Sequence, residues 1–227
     1  NPQITKNYSS GNIKESVSLV YMGCRASFYM LTLIVVPFVV NVDYVLELWL
    51  ERVPENTSLF LYFILGVALI YSLSQPITVA IQATGDIKAF QIWIFSLMVL
   101  EVCLTYLVLW ITSSLVYALV PSVVVNFIST AVRMALVKKK VGAYSFRQYA
   151  FDVVFRCVMV LLISCVVAIY IHYMIGYESF VAFLGECVVL AVSTIVIILL
   201  FGLKRDERLQ LVSKLTMSVK RLNGRRV

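Results

Sequence analysis

The sequence predicts an all-α integral membrane protein, a six-helix transmembrane bundle, on three observations. Of its 227 residues, 61% are hydrophobic and 14% charged, against roughly 45–50% and 25% in soluble domains. Too few polar side chains remain to cover a water-soluble globule of this size. Apolar runs long enough to cross a bilayer recur six times between charged stretches, and the basic residues collect in alternate connections.

Bounded by charge, the runs cover about 20–42, 57–82, 90–111, 114–136, 154–174 and 181–203. Each is close to the roughly 17 to 25 residues a membrane helix needs. They are too long and too uniformly apolar for barrel strands, so the backbone must satisfy itself as helix. The first run opens amid Lys14 and Arg25 and stays apolar to Asp43. The second contains Pro76, which lacks the amide that would bond the carbonyl of Ser72, predicting a kink or local unwinding. Only Ile111-Thr112-Ser113-Ser114 breaks the charge-free stretch from Val102 to Val132. That stretch exceeds one span, which predicts a tight helical hairpin between the third and fourth runs. The fifth follows a strongly basic connection, and the sixth follows a turn near 175–180.

Residues 204–227 change character. Val212, Leu215, Val219 and Leu222 recur at helical spacing among Arg208, Lys214, Lys220 and Arg221. This predicts a basic amphipathic tail on an anionic leaflet and not a nucleic-acid contact, since the segment adjoins a span. Eighteen of the nineteen Lys and Arg residues fall on one side of the predicted topology, with Arg52 alone opposite. By the positive-inside rule both ends of this segment are cytoplasmic, as an even number of spans requires. The opposite side carries Asp43, Glu47, Glu51, Glu55 and Glu178, and Trp49, Trp110 and Tyr173 suit its interfacial belt. The five cysteines show neither CxxC nor metal-ligand spacing and read as small hydrophobes. A chain beginning at Asn1 without a signal pattern reads as the later part of a longer one.

Two runs carry polar stripes. Tyr71, Gln75, Thr78 and Gln82 share one helical face, with Ser74 near it; Ser122, Asn126, Ser129 and Arg133 repeat the spacing just after Pro121. One reading is hydrogen bonding between packed helices, and the other is the wall of a water-filled cavity for a polar substrate. Glu101, mid-span with Thr105 on its face, is the candidate for Na⁺ or H⁺ coupling, against a structural hydrogen-bonded Glu. Glu186 reads as structural or at a cavity mouth, and His172 as an interfacial polar residue. Arg133 and Arg156 lie near predicted cytoplasmic ends, suited to snorkelling toward lipid phosphate or to holding a substrate phosphate. One histidine, no H-E-x-x-H, no G-x-S-x-G and no P-loop exclude the familiar enzyme constellations, so neither catalysis nor a resident cofactor or metal is expected. A polytopic polysaccharide polymerase or glycosyltransferase would need a larger polar outer loop than the short acidic 43–56 connection, and a membrane scaffold is the non-transporting alternative.

Four stretches carry a likeness to a known family: Asn1-Pro2-Gln3-Ile4 to Gly11-Asn12, Val45-Leu46-Glu47-Leu48-Trp49-Leu50 with Pro54, Gln75-Pro76 through Ala83-Thr84-Gly85-Asp86-Ile87-Lys88, and Gly202-Leu203 with Glu207-Arg208. In these the chain resembles the bacterial polysaccharide exporters, the lipid-linked oligosaccharide (O-antigen, Wzx-like) flippases of the multidrug/oligosaccharidyl-lipid/polysaccharide superfamily. Glu51 stands where the family pattern has Gly. The resemblance implies the C-terminal bundle of a two-bundle, MATE-like transporter in a bacterial inner membrane, partnered by a missing N-terminal bundle. It further implies that the whole moves an undecaprenyl-diphosphate-linked sugar unit by alternating access, often with Na⁺ or H⁺. An ion-coupled drug or cation antiporter of the same superfamily is the alternative, and would give Glu101 the central role.

Overall fold

A computed structural model describes residues 6, 8, 10–175, 180–204, 207 and 208. The Asn1–Ile4 stretch, the Glu178 turn and the predicted tail helix lie outside the described residues. Six helices are long and apolar enough to cross a membrane: α1 (Ile13–Val40), α3 (Thr57–Ala83), α4 (Lys88–Thr112), α5 (Tyr117–Val141), α6 (Phe146–Ile175) and α7 (Phe180–Gly202). A short helix, α2 (Val42–Trp49), follows α1. No strand occurs among the described residues. The chain is therefore a multi-pass helical membrane protein.

The helices outrun the charge-bounded segments where charges are tolerated. α1 begins seven residues before position 20, taking Lys14 and Glu15 into its first turn, and carries Arg25 buried and paired within the span. α6 takes in Arg147, Asp152 and Arg156, of which Asp152 is neutralised by Lys204. α3 runs through Pro76 without interruption, so the predicted unwinding is not seen. A neighbour supports the region left short of one amide: the Tyr149 hydroxyl donates to the Leu73 carbonyl at 3.1 Å. Gly23 makes room there for α1, since a Cβ at that position would lie 3.3 Å from Pro76. The hairpin between α4 and α5 turns at Ser113, whose φ of 50° lies in the left-handed region.

α1 is the central helix, packed against α3 on one side and against α6 and α7 on the other. Its buried residues form two adjoining stripes, Ser16-Val20-Cys24-Phe28-Thr32-Val36 and Val17-Tyr21-Arg25-Tyr29, broad enough for both contacts. α3 packs on α5, and α5 on α4, which leaves α4 at the edge. The main core joins α1, α3, α5 and the start of α6. A smaller cluster of Val36, Ala168 and Leu190 closes α1, α6 and α7.

The two ends of the bundle differ in chemistry. The end bearing the 84–87 and 142–145 loops, here the loop end, holds the charged contacts. Lys140 pairs with Asp86 at 3.0 Å across two connections, and its ammonium holds the Asp86 carboxyl below the usual carboxylate range. Arg25 pairs with Glu207 and donates to the Asp152 carbonyl at 3.0 Å, while Lys204 reaches the Asp152 carboxylate at 2.7 Å. Two π-helical stretches flank this cluster, Ala150–Phe155 in α6 and Ile198–Gly202 in α7. At the opposite end, the far end, Tyr44 of α2 packs on Phe183 of α7 with ring centroids 4.9 Å apart, and Ser58 donates to Asp43 at 2.6 Å.

Candidate functional site

The two polar stripes meet at one point, where α3 packs on α5. Arg133 is 5% exposed, and its guanidinium donates through Nη1 to the Ser74 hydroxyl and lies 5.2 Å from the centre of the Tyr71 ring. Ser74 is fully buried and donates onward to the Tyr71 carbonyl at 3.0 Å. Ser129, one turn before Arg133, is buried on the same side. Among the described residues no carboxylate pairs with Arg133, and its Nε has no hydrogen-bond partner. Arg133 is thus a fixed positive charge held by a hydroxyl and an aromatic face, eight residues from the end of α5. Helical rise puts that about 12 Å from the loop end.

The rest of the stripes spread outward from this point. Tyr71 is 44% exposed, Gln75 and Thr78 are half-buried, and Gln82 is exposed at the loop end, so one flank of α3 stays polar and open beside the guanidinium. Thr78 is directed to its own helix, 3.5 Å from the Ser74 carbonyl. Asn126 likewise donates to the Ser122 carbonyl at 2.8 Å. Ser122 faces elsewhere: with Glu101, Thr105 and Tyr106 it lines an open cleft of about 570 Å³ between α4 and α5. Glu101 is half-exposed on that cleft, and the Arg133 guanidinium is turned toward α3 instead.

Sequence reasoning missed two constellations. Arg25, Asp152, Lys204 and Glu207 are 182 positions apart at most, and only the packing of α1 against α6 and α7 joins them. Arg25 inside the first apolar run and Asp152 just before the fifth were the available signal. Glu186, read as structural or at a cavity mouth, is 1% exposed and lies 2.8 Å from His172 across the α6–α7 hairpin. Opposite polarity on the two sides of one turn was its signal. Among the described residues no three His, Cys, Asp or Glu side chains gather as a metal site. No family model, curated protein or solved structure matches the chain.

Proposed function

We propose that this chain is one bundle of a bacterial inner-membrane exporter that carries an undecaprenyl-diphosphate-linked oligosaccharide across the bilayer by alternating access. The loop end and both ends of the segment face the cytoplasm in this reading. Arg133 is the observation that carries it. A guanidinium buried in a membrane bundle without a carboxylate is costly unless an anion visits it, and a planar fork of donors matches phosphate. Its depth allows a headgroup phosphate to enter from the loop end while the lipid tail stays in the membrane. The open flank of Gln75, Thr78 and Gln82 then offers donors and acceptors to sugar hydroxyls without the desolvation cost of further charge. The mechanism needs no chemical step and no cofactor.

A cation antiporter would place an acid at this point, whereas the buried charge here is positive. Glu101, on its separate cleft, is the candidate for Na⁺ or H⁺ coupling within the same reading. Glu101→Gln keeps size and hydrogen bonding and is expected to make export insensitive to the ion gradient; unchanged gradient dependence would return Glu101 to a structural role.

The deciding experiment replaces Arg133 in the full-length exporter by Gln and by Lys. Arg133→Gln should abolish polysaccharide export with normal membrane insertion, and Arg133→Lys should retain a small part of it, because a point charge replaces a bidentate fork. Binding of a polyprenyl diphosphate to purified protein should weaken in parallel. Full export by the Gln variant would overturn the assignment.

A further inference from the structure

A carboxylate sealed inside a membrane bundle needs a countercharge or a proton. Glu186 sits in the second turn of α7 with no exposed side-chain surface. Its Oε1 is 2.8 Å from His172 Nδ1, and its Oε2, also buried, has no hydrogen-bond partner among the described residues. An apolar layer seals the pair from the rest of the bundle. Val36, Ala168 and Leu190 pack together, and one helical turn toward the far end from each lie Val40, His172 and Glu186. His172 is different: 36% of its side chain is exposed. The pair therefore joins a buried acid to a group that reaches the surface.

We propose that His172 and Glu186 form a proton-binding site loaded from the far end of the bundle. With Glu186 ionised, Nδ1–H of a neutral imidazole donates to Oε1. The ring takes a proton from water at its second nitrogen, and the Nδ1 proton then moves to the carboxylate. The result is a neutral acid whose O–H donates back to Nδ1. One proton is taken up, and the buried charge is discharged. The surroundings favour a proton over a metal cation, because a proton needs one lone pair and a cation needs a shell of oxygens. α1 contributes apolar Val36 and Val40 and, at its end, the neutral Asn41. α2 contributes Tyr44 on Phe183, α6 the half-buried Cys165, and α7 Cys187 beside the acid. Tyr177 and Glu178 belong to the connecting turn, outside the described residues. The site stands independently of the proposed transport, because proton uptake is measurable without substrate.

The test is infrared titration of the full chain in lipid nanodiscs. A protonated-carboxyl stretch should grow as the pH falls, and Glu186→Gln should remove it. His172→Gln should keep the band but displace its midpoint, because the carboxyl loses its imidazole partner. Should Glu186→Gln fail to fold, the shift in His172→Gln carries the test alone. A carboxyl spectrum unchanged with pH, a band that survives Glu186→Gln, or a midpoint unmoved by His172→Gln would each overturn the proposal. A response to sodium at constant pH in place of one to pH would overturn it as well.

Discussion

Arg25 and Arg133 are both buried cations, 3% and 5% exposed, yet they are satisfied in opposite ways. Arg25 has a carboxylate from Glu207 and a carbonyl from Asp152, whereas Arg133 has a hydroxyl and a ring. Removing one member of a buried ion pair leaves an uncompensated charge, while removing both is far better tolerated. Arg25→Met should therefore destabilise the protein by about 3 kcal/mol or more, and Arg25→Met with Glu207→Leu should recover much of that in detergent thermal melts. A double variant no more stable than the single one would show that Arg25 acts through its carbonyl contact alone. Gly202 is a second sensitive position. The Tyr29 hydroxyl donates to its carbonyl at 3.0 Å, and a Cβ at 202 would lie 2.9 Å from the ring. Since Tyr29 is buried and pinned by that bond, Gly202→Ala should cost roughly 1–3 kcal/mol by overpacking. Gly66, where a Cβ meets nothing within 4 Å, is the matched control and should tolerate Ala.

At the scale of elements, the second apolar run and the α4–α5 turn were legible because they depend on local chemistry. Charge-free length made the helices, and Thr112-Ser113 made the break. What was not legible depends on tertiary partners. Asp152 looked like a boundary because a lone charge in a sequence gives no sign that a distant residue will neutralise it. The unwinding expected at Pro76 is absent for a related reason, since the packing of Gly23 and the Tyr149 hydroxyl against α3 are non-local. Of the candidate stripes, Arg133 came together with Ser74 and Tyr71, but Ser122 turned to the Glu101 cleft. A stripe running twelve residues, from Ser122 to Arg133, is long enough for one helix to serve two neighbours. The link between the α3–α4 loop and the end of α5 also belongs to this scale. Lys140 lowers the Asp86 carboxyl affinity for protons, so the contact is present above the ordinary aspartate range and is lost as pH falls through the lowered folded value. Exchange of the amides in 84–88 should thus quicken only in strong acid, and Asp86→Asn should give that faster exchange at neutral pH. Asp86 is exposed, so global stability should hardly change.

For the whole molecule, the six helices form a chain of contacts, α4 on α5, α5 on α3, α3 on α1, and α1 on the α6–α7 pair. Such an arrangement carries the charged cluster of Arg25, Asp152, Lys204 and Glu207 and the Lys140–Asp86 pair at one end. The acidic Asp43 and the sealed Glu186 lie at the other. This polarity runs in the same direction as the sequence charge count, which assigns eighteen of nineteen basic residues to one side of the predicted topology. A bilayer with the cytoplasm at the basic face satisfies it, because Lys and Arg flanking spans resist translocation. The orientation we propose puts positions 139 and 214 inside and position 51 outside. In a full-length background with the five native cysteines replaced, single cysteines at these positions report it. Position 51 should react with an impermeant maleimide in intact cells, and positions 139 and 214 only after the membrane is opened. Labelling at 139 from outside would reverse the bundle. It would then point the route to Arg133 away from the compartment where a lipid-linked precursor is made, and the export reading would fall with the orientation.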